Sequence, residues 1–467
     1  MVGLATAMFL VVLDSSMVNL ASSTIREGLG LTATELTLVV DSYLVAFAGL
    51  LLLGGRLADV LGGRRMFLGG LALYVAATIL CAVAADSALL IAARILQGIG
   101  AAAVVPAALS LVLALYTTPA ERTRATGIWG AVAGMGSLAG VFLGGTLTQL
   151  FGWQAVFIAP VPFAIAGAIL VWRFVGPVRG HAGRFDVLGA STITLGISGL
   201  ALGMVSASDA GWTNIGTVLG LVMGIASLVA FVLVESRSSH PLVPLTVFRR
   251  RPVVTANVVM LLIGGTMVSL FFFLPQYQQE VLGMTPLSSG MTQLPLAGMV
   301  IVGSILSPML TARIGLTTAQ PIALTVLLAG LVWLTLDPTT AGFSLSLAGA
   351  FLLIGTGLGL SSVNATAMAV RDSTQGEQGL LSGLVNAAQQ LGGAVGLAAL
   401  AGVAIGAAGA AGASISFAAA FVGLTVLIGI ALVVSLVSRA IASSGRAPSD
   451  PDQHRPASVD TASRKDR

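Results

Sequence analysis

Fourteen apolar runs of at least 18 residues follow one another along this 467-residue chain, separated by charge or by Pro and Gly clusters. A run of that length crosses the hydrocarbon core of a bilayer, about 30 Å, as a helix. The approximate runs are 3–23, 37–57, 66–85, 88–113, 125–149, 155–175, 187–206, 214–235, 254–276, 287–311, 318–336, 343–368, 380–404 and 415–438. Only 9% of the residues are charged and 56% are hydrophobic, against about 25% charged in ordinary soluble proteins. No soluble globule hides that much apolar surface, so the pattern predicts an all-α integral membrane protein embedded in a lipid bilayer. The start of the chain has no basic n-region and no small-residue cleavage site, so its first run is expected to remain as a helix.

The positions of the cations predict the topology. With the N-terminus inside, all 22 Lys and Arg except Arg26 and Arg94 fall on cytoplasmic loops, inner helix ends or the tail. The positive-inside rule therefore predicts a multi-pass cell-membrane protein with both termini cytoplasmic. That distribution accounts for the net charge of +4 without a nucleic-acid partner. The single cysteine, Cys81, excludes an internal disulfide and a four-thiolate metal site. No metal and no organic cofactor are expected.

The runs look duplicated. "RILQGIGAAAVVPAAL" (94–109) in the fourth and "FLLIGTGLGLSSVNATAM" (351–368) in the twelfth share a G-x-G core and a small-residue face. Setting aside the seventh and eighth runs leaves six plus six, an arrangement of transporters with a midplane site between repeats. The expected domains are a six-helix bundle over 1–175, two extra helices with linkers over 176–250, and a second bundle over 251–438. The polar, proline-bearing stretch 439–467 is expected to be a disordered tail.

The most specific local feature is "GGRLADVLGGRRMFLGG" (54–70), between the second and third runs. Gly55, Asp59, Gly62, Arg64 and Arg65 match the signature G-x-L-A-D-x-x-G-x-[RK]-[RK], and the chain here resembles the major facilitator superfamily. The glycines allow a tight turn, and Asp59 can cap a helix or pair with an arginine. The resemblance implies that this loop gates one face. "LDSSMVNLASSTI" (13–25), "RILQGIGAA" (94–102) and "GMGSLAGVFLGGTL" (134–147) resemble motifs of its fourteen-helix drug:proton antiporters. Within that family the chain is similar to actinomycete exporters of the methylenomycin-resistance type. The third stretch keeps Gly136, Gly140, Gly144 and Gly145 of the antiporter helix but has Val141 for its proline. The resemblance implies a major facilitator fold, two six-helix bundles plus two central helices, and proton-coupled export of an antibiotic or drug.

Of 18 acidic residues only Asp14 and Asp41 sit well inside runs. Counted along their helices at 1.5 Å per residue, Asp14 lies roughly 13 Å and Arg94 roughly 9 Å below the outer ends. Intramembrane charges almost always face the bundle interior and pair. Asp14 and Arg94 are therefore the expected proton-coupling pair. Asp41 is either a substrate-facing acid or a solvated acid favoured by a helix N-terminus. Among the intramembrane amides, Asn19, Gln97, Asn257, Asn386 and Gln389 are candidates for the substrate, with Asn364 and Gln390 beside them; the same residues can serve as interhelical glue.

Other classes fit less well. The only lysine, Lys465, is in the tail, so the chain supplies no G-x-x-x-x-G-K-[ST] loop for ATP. His181, His240 and His454 lie in loops or the tail, so no histidine serves as an intramembrane base. An acid-pair protease on Asp14 and Asp41 would leave the 54–70 loop and the repeat without a role. The expectation is therefore a transporter, not an enzyme. Its expected partners are protons and a small hydrophobic substrate, neutral or monocationic, and it is expected to work as a monomer. Proton-coupled import of a small organic solute is the alternative.

Overall fold

A bilayer core offers no water to an unpaired N–H or C=O, so apolar runs close their backbone hydrogen bonds within helices. The structure is a computed structural model and describes residues 1–116, 119–176, 187–238, 245–336, 345–371, 373, 378–409 and 415–444. Among these residues every regular element is helical. The first half comprises α1 (Val2–Leu29), α2 (Ala33–Leu61), α3 (Gly63–Ala82), α4 (Ser87–Leu115), α5 (Pro119–Phe151), the short α6 (Gln154–Ile158) and α7 (Pro160–Phe174). Next come α8 (Val187–Ala210), α9 (Ile215–Arg237) and a 3-10 turn, Leu245–Arg249. The second half opens with α10 (Arg251–Gln276), prolonged by a π-helical turn, Tyr277–Val281. It continues with α11 (Pro286–Ile314), α12 (Leu316–Leu336), α13 (Leu345–Val370), α14 (Gln378–Gly409) and α15 (Phe417–Ser444). Thirteen segments, α6 and α7 together making one, are long and apolar enough to cross a membrane. The 33-residue α5 occupies the remaining expected run.

Two boundaries differ from the hydropathy pattern for local reasons. α2 starts at Ala33, four residues before the apolar run, because Thr32 and Glu35 form a capping box: the Thr32 hydroxyl accepts from Glu35 N at 3.2 Å and the Glu35 carboxylate from Thr32 N at 2.9 Å. α15 runs on to Ser444, so the first residues of the expected tail are helical; 445–467 lie outside the described residues.

The duplication is visible in how the fourth helix of each half is packed. A Cβ on Gly98 would stand 2.5 Å from the Tyr43 carbonyl of α2, and one on Gly100 2.8 Å from Tyr74 N of α3. In the second half Gly355 meets the Leu296 carbonyl of α11 in the same way, and a Cβ on Gly357 would stand 2.5 Å from Leu327 N of α12. Each G-x-G therefore turns one glycine to the second helix of its half and the other to the third. Small residues at membrane helix contacts let backbones approach where no hydrophobic force drives association.

The halves meet along α5 with α11, α2 with α14, and α1 with α10. Three polar contacts join them at the end where α1, α5 and α10 finish. Arg26 pairs with Glu280 at 2.9 Å, Gln279 donates to the Leu20 carbonyl at 3.0 Å, and Leu287 N donates to Gln149 Oε1 at 3.3 Å. The α8–α9 hairpin lies against one flank: α8 packs on both α2 and α14, with Thr194 Oγ1 donating to the Gly49 carbonyl at 2.7 Å.

α5 lies along α1 through the expected glycines. A Cβ on Gly136 would stand 2.9 Å from the Phe9 carbonyl, on Gly140 2.8 Å from the Leu13 carbonyl, and on Gly144 2.9 Å from Met17 Cα. Gly145 faces the other half, where the Pro286 carbonyl of α11 would be 2.6 Å away. At Gly140 the neighbours are Ser16 Cβ, at 2.6 Å, and the Leu13 backbone, and neither can turn aside. Gly140→Ala is therefore expected to lower stability by about 1–3 kcal/mol, the usual range for overpacking. Gly69→Ala, with nothing within 4 Å of its Cβ, should leave thermal unfolding in detergent unchanged or slightly raised. Equal melting temperatures for the two variants would contradict the close approach.

Candidate functional site

An ionised side chain inside a membrane bundle must find its partners within the protein, and Asp14, near the middle of α1, does so completely. Its Oδ2 accepts from Arg94 Nη1 at 2.8 Å and its Oδ1 from Gln97 Nε2 at 2.9 Å. Arg94 and Gln97 are three residues apart on α4, so both reach the same side of it. Arg94 Nη1 also donates to Gln97 Oε1 at 2.6 Å, and Nε donates to the Val39 carbonyl of α2 at 3.2 Å. The Tyr43 ring of α2 lies under the guanidinium, 4.3 Å from Cζ to the ring centroid. Gln97 Nε2 donates again to Thr78 Oγ1 of α3 at 2.9 Å, and Thr78 passes its own hydrogen to the Tyr74 carbonyl at 2.7 Å. Asp14 and Gln97 are 0% exposed and Arg94 1%. The network is dry and draws on the first four helices of one half.

The expected pair Asp14–Arg94 is thus brought together, and Gln97, expected to face the substrate, is its third member with its amide already engaged. Thr78, Tyr43 and Tyr74 were not legible as partners, since a hydroxyl in a membrane helix is as often packing as chemistry. Of the other amides, Asn19 is buried with Oδ1 unpartnered, and Asn257 donates to the Val253 carbonyl of its own helix at 2.8 Å with Oδ1 unpartnered. Asn386 is exposed. Gln389 is partly buried on α14, its Nε2 directed at Met267 Sδ at 3.9 Å. The structure does not gather these amides into one hydrogen-bonded cluster.

Asp41 is not the acid at a helix end. That position belongs to Glu35, which caps α2 and accepts from Ser87 Oγ of α4 at 2.8 Å. The T-x-x-E pattern at 32–35 signals such a cap. Asp41 lies six residues beyond Glu35 along α2, about 9 Å at 1.5 Å per residue, and is 2% exposed with Oδ1 unpartnered.

In the 54–70 loop, Gly62 takes φ 94°, a left-handed conformation that only glycine adopts at little cost, and this turns α2 directly into α3. The close approach to α4 is at Gly54, where a Cβ would overlap the Ala102 carbonyl; at Gly55 it would have ordinary contact with Pro106. Arg64 Nη2 donates to the Trp172 carbonyl at 2.6 Å, capping the last turn of α7, and Arg65 is exposed. Asp59 sits in the last turn of α2 and its side chain lies outside the described residues.

Removing one partner of a buried ion pair leaves the other charge uncompensated, at about 3–5 kcal/mol. Arg94→Met is expected to lose most folded protein, while Arg94→Met combined with Asp14→Asn should recover much of it. Yield of monodisperse protein and its thermal unfolding are the measurements. A double variant no better than Arg94→Met would show that the two charges do not depend on one another.

The geometry can be set beside known proteins. Residues 4–397 match the family model described as Major Facilitator Superfamily. A cephamycin export protein of Amycolatopsis lactamdurans is 36% identical over 394 residues, covering 83% of this chain and 81% of the relative. A methylenomycin A resistance protein of Streptomyces coelicolor is 31% identical over 393 residues, 84% of this chain and 82% of the relative. Among solved structures, the POT family transporter PepTSo superposes with a TM-score of 0.69 at 15% identity, covering 96% of this chain and 98% of that one; at that identity the likeness is one of fold. Matched across most of its length by the family model and by such relatives, the chain belongs to the Major Facilitator Superfamily.

Proposed function

We propose that this protein exports a hydrophobic, neutral or monocationic small molecule in exchange for protons, by alternating access between its halves. The observation that carries the reading is the dry Asp14–Arg94–Gln97 network on a helix that also packs against the opposite half at α10 and α11. A proton arriving on Asp14 cancels the carboxylate charge and breaks the ion pair with Arg94. The guanidinium then keeps the Gln97 and Val39 acceptors and the Tyr43 face. Reforming the pair returns the proton. Because α1 touches both halves, the change at Asp14 biases how they sit.

Export, not import, is favoured by relatives of which one is named an export protein. With the termini cytoplasmic, as the arginine distribution supports, the three polar contacts between the halves lie at the outer end. This conformation is then closed outward, with the ion pair intact and the proton already released inward. The loop at 54–70 serves as the gate at the inner end in the opposite conformation. The substrate's charge follows from the carboxylates. Each buried positive charge needs a partner. Among the described side chains, the acids well within the spans are Asp14, paired, and Asp41. A divalent cation would lack counter-charges.

Asp14→Asn keeps an amide where the carboxylate stood and removes the titration. In everted vesicles acidified inside by respiration, drug addition is expected to dissipate part of the pH gradient with the parent protein. Asp14→Asn, at equal membrane abundance, should dissipate none. Accumulation of antibiotic or dye that a protonophore leaves untouched would overturn proton coupling.

A further inference from the structure

The π-helical turn at the end of α10 sends four successive side chains to three different helices. Tyr277 packs edge-on against Phe417 and Phe421 of α15, with ring centroids 5.8 and 5.4 Å apart. Gln278 bonds to α11. Gln279 donates to the Leu20 carbonyl of α1, and Glu280 pairs with Arg26 of α1. The first two hold the turn to its own half, and the last two reach across to the other. A π turn closes with i→i+5 hydrogen bonds, is rare, and is found mostly at functional places. Here Leu282 N donates to the Tyr277 carbonyl at 3.2 Å. The helix is loosened just before it. Pro275 has no N–H for the Phe271 carbonyl, and the Gln276 side chain, bent back, donates to the Phe272 carbonyl at 2.8 Å.

Gln278 is the residue that fixes this turn to its own half. It is 0% exposed. Its Oε1 accepts from Ser289 Oγ at 2.7 Å and from Gln293 Nε2 at 2.8 Å, and its Nε2 donates to Thr292 Oγ1 at 3.0 Å. Ser289, Thr292 and Gln293 succeed one another at spacings of three and four from Ser289 and so share one face of α11. The main chain is tied down as well: the Gln278 carbonyl accepts at 2.9 Å from Met284 N, two residues before α11 begins. In a dry interior an amide whose hydrogen bonds are all made is rigid, and one that loses them is costly.

We propose that Gln278 is a positioning residue: by pinning the turn to α11 it keeps it wound as a π turn, and that winding brings Gln279 and Glu280 round onto α1. Rewound with i→i+4 bonds, the same residues would follow the tighter spiral of an α-helix. Tyr277, at the start of the turn, would keep its direction, whereas Gln279 and Glu280 would point away from Leu20 and Arg26. The hydrogen bonds of the Gln278 side chain lie within its own half, so it acts on the contact between the halves only through the backbone. The inference rests on the geometry of the turn, not on what the protein carries or which ion drives it.

The test is a cross-linking rate without substrate or gradient, so its outcome is independent of the vesicle assay. Arg26→Cys and Glu280→Cys are combined in a Cys81→Ala background in lipid nanodiscs and joined with a short bis-maleimide. Gln278→Met keeps the length of the side chain and removes its hydrogen bonds. Cross-linking is then expected to slow at least about twofold, the least that one net hydrogen bond is worth. A second variant adds Ser289→Ala and Gln293→Met, which removes the abandoned partners; Thr292 keeps its bond to the Ser289 carbonyl at 2.8 Å. With those buried polar groups no longer left unsatisfied, its melting temperature should return towards the parent's, while its cross-linking stays slow. It also serves if Gln278→Met folds poorly. Either variant cross-linking at the parent's rate, or a rate that recovers together with the melting temperature, makes Gln278 a packing residue and overturns the proposal.

Discussion

The rest of the first half is arranged around one constraint: a carboxylate and a guanidinium sit together where no water reaches either. In a low-dielectric interior an ion pair survives only if its remaining hydrogen-bonding positions are also filled. Here α4 supplies Arg94 and Gln97, α3 supplies Thr78, and α2 supplies the Val39 carbonyl and the Tyr43 face. Filling those positions ties α1 to three other helices. The second half repeats the packing without the charge. Aligned on the G-x-G of α4 and α13, the positions of Arg94 and Gln97 are taken by Phe351 and Ile354, both fully buried. One half therefore carries the ionisable network and the other an apolar core of the same shape. Any chemistry that changes charge at this depth acts on the first half and reaches the second through contacts such as those of α1 with α10.

Within the first half and within the hairpin, small residues set how closely the helices approach. Lipid tails are as apolar as leucine, so helices in a membrane gain little from simple hydrophobic contact and hold by close van der Waals packing. The glycines of α5 give α1 such a surface, smooth and without side chains that must unlock. The hairpin uses the same device. Gly199 and Gly203 of α8 meet Gly220 and Gly224 of α9, which makes the pair a unit that packs against α2 and α14 from the side.

Hydropathy carried the architecture because length and apolarity are what a bilayer demands of a helix. It could not place ends that polar caps determine: the box of Thr32 and Glu35 begins α2 outside the apolar run and moves Asp41 from a helix end to a buried position. Depth counting was enough to bring Asp14 to Arg94, since both residues lie at similar depths on helices that pack together. Counting says nothing of rotation about the helix axis. Gln97 consequently turned out to face the ion pair, and Asn257 to bond its own helix. The pairing of Arg26 with Glu280, residues 254 positions apart, has no local signature at all; it exists because two halves close on one another.

That contact and the buried pair illustrate opposite uses of one chemistry. The side chains of Arg26 and Glu280 keep 24% and 23% of their surface exposed, and ion pairs in contact with water are worth only about 0–1 kcal/mol. Gln149, across from Leu287, is exposed as well. Such contacts can be exchanged for water almost without loss, so they join the halves at this end without locking them. A pair as dry as Asp14–Arg94 at that position would have to be desolvated again at every closure. The weak polar contacts between the halves therefore stand at the wet end of the interface, and the costly one is kept inside a single half.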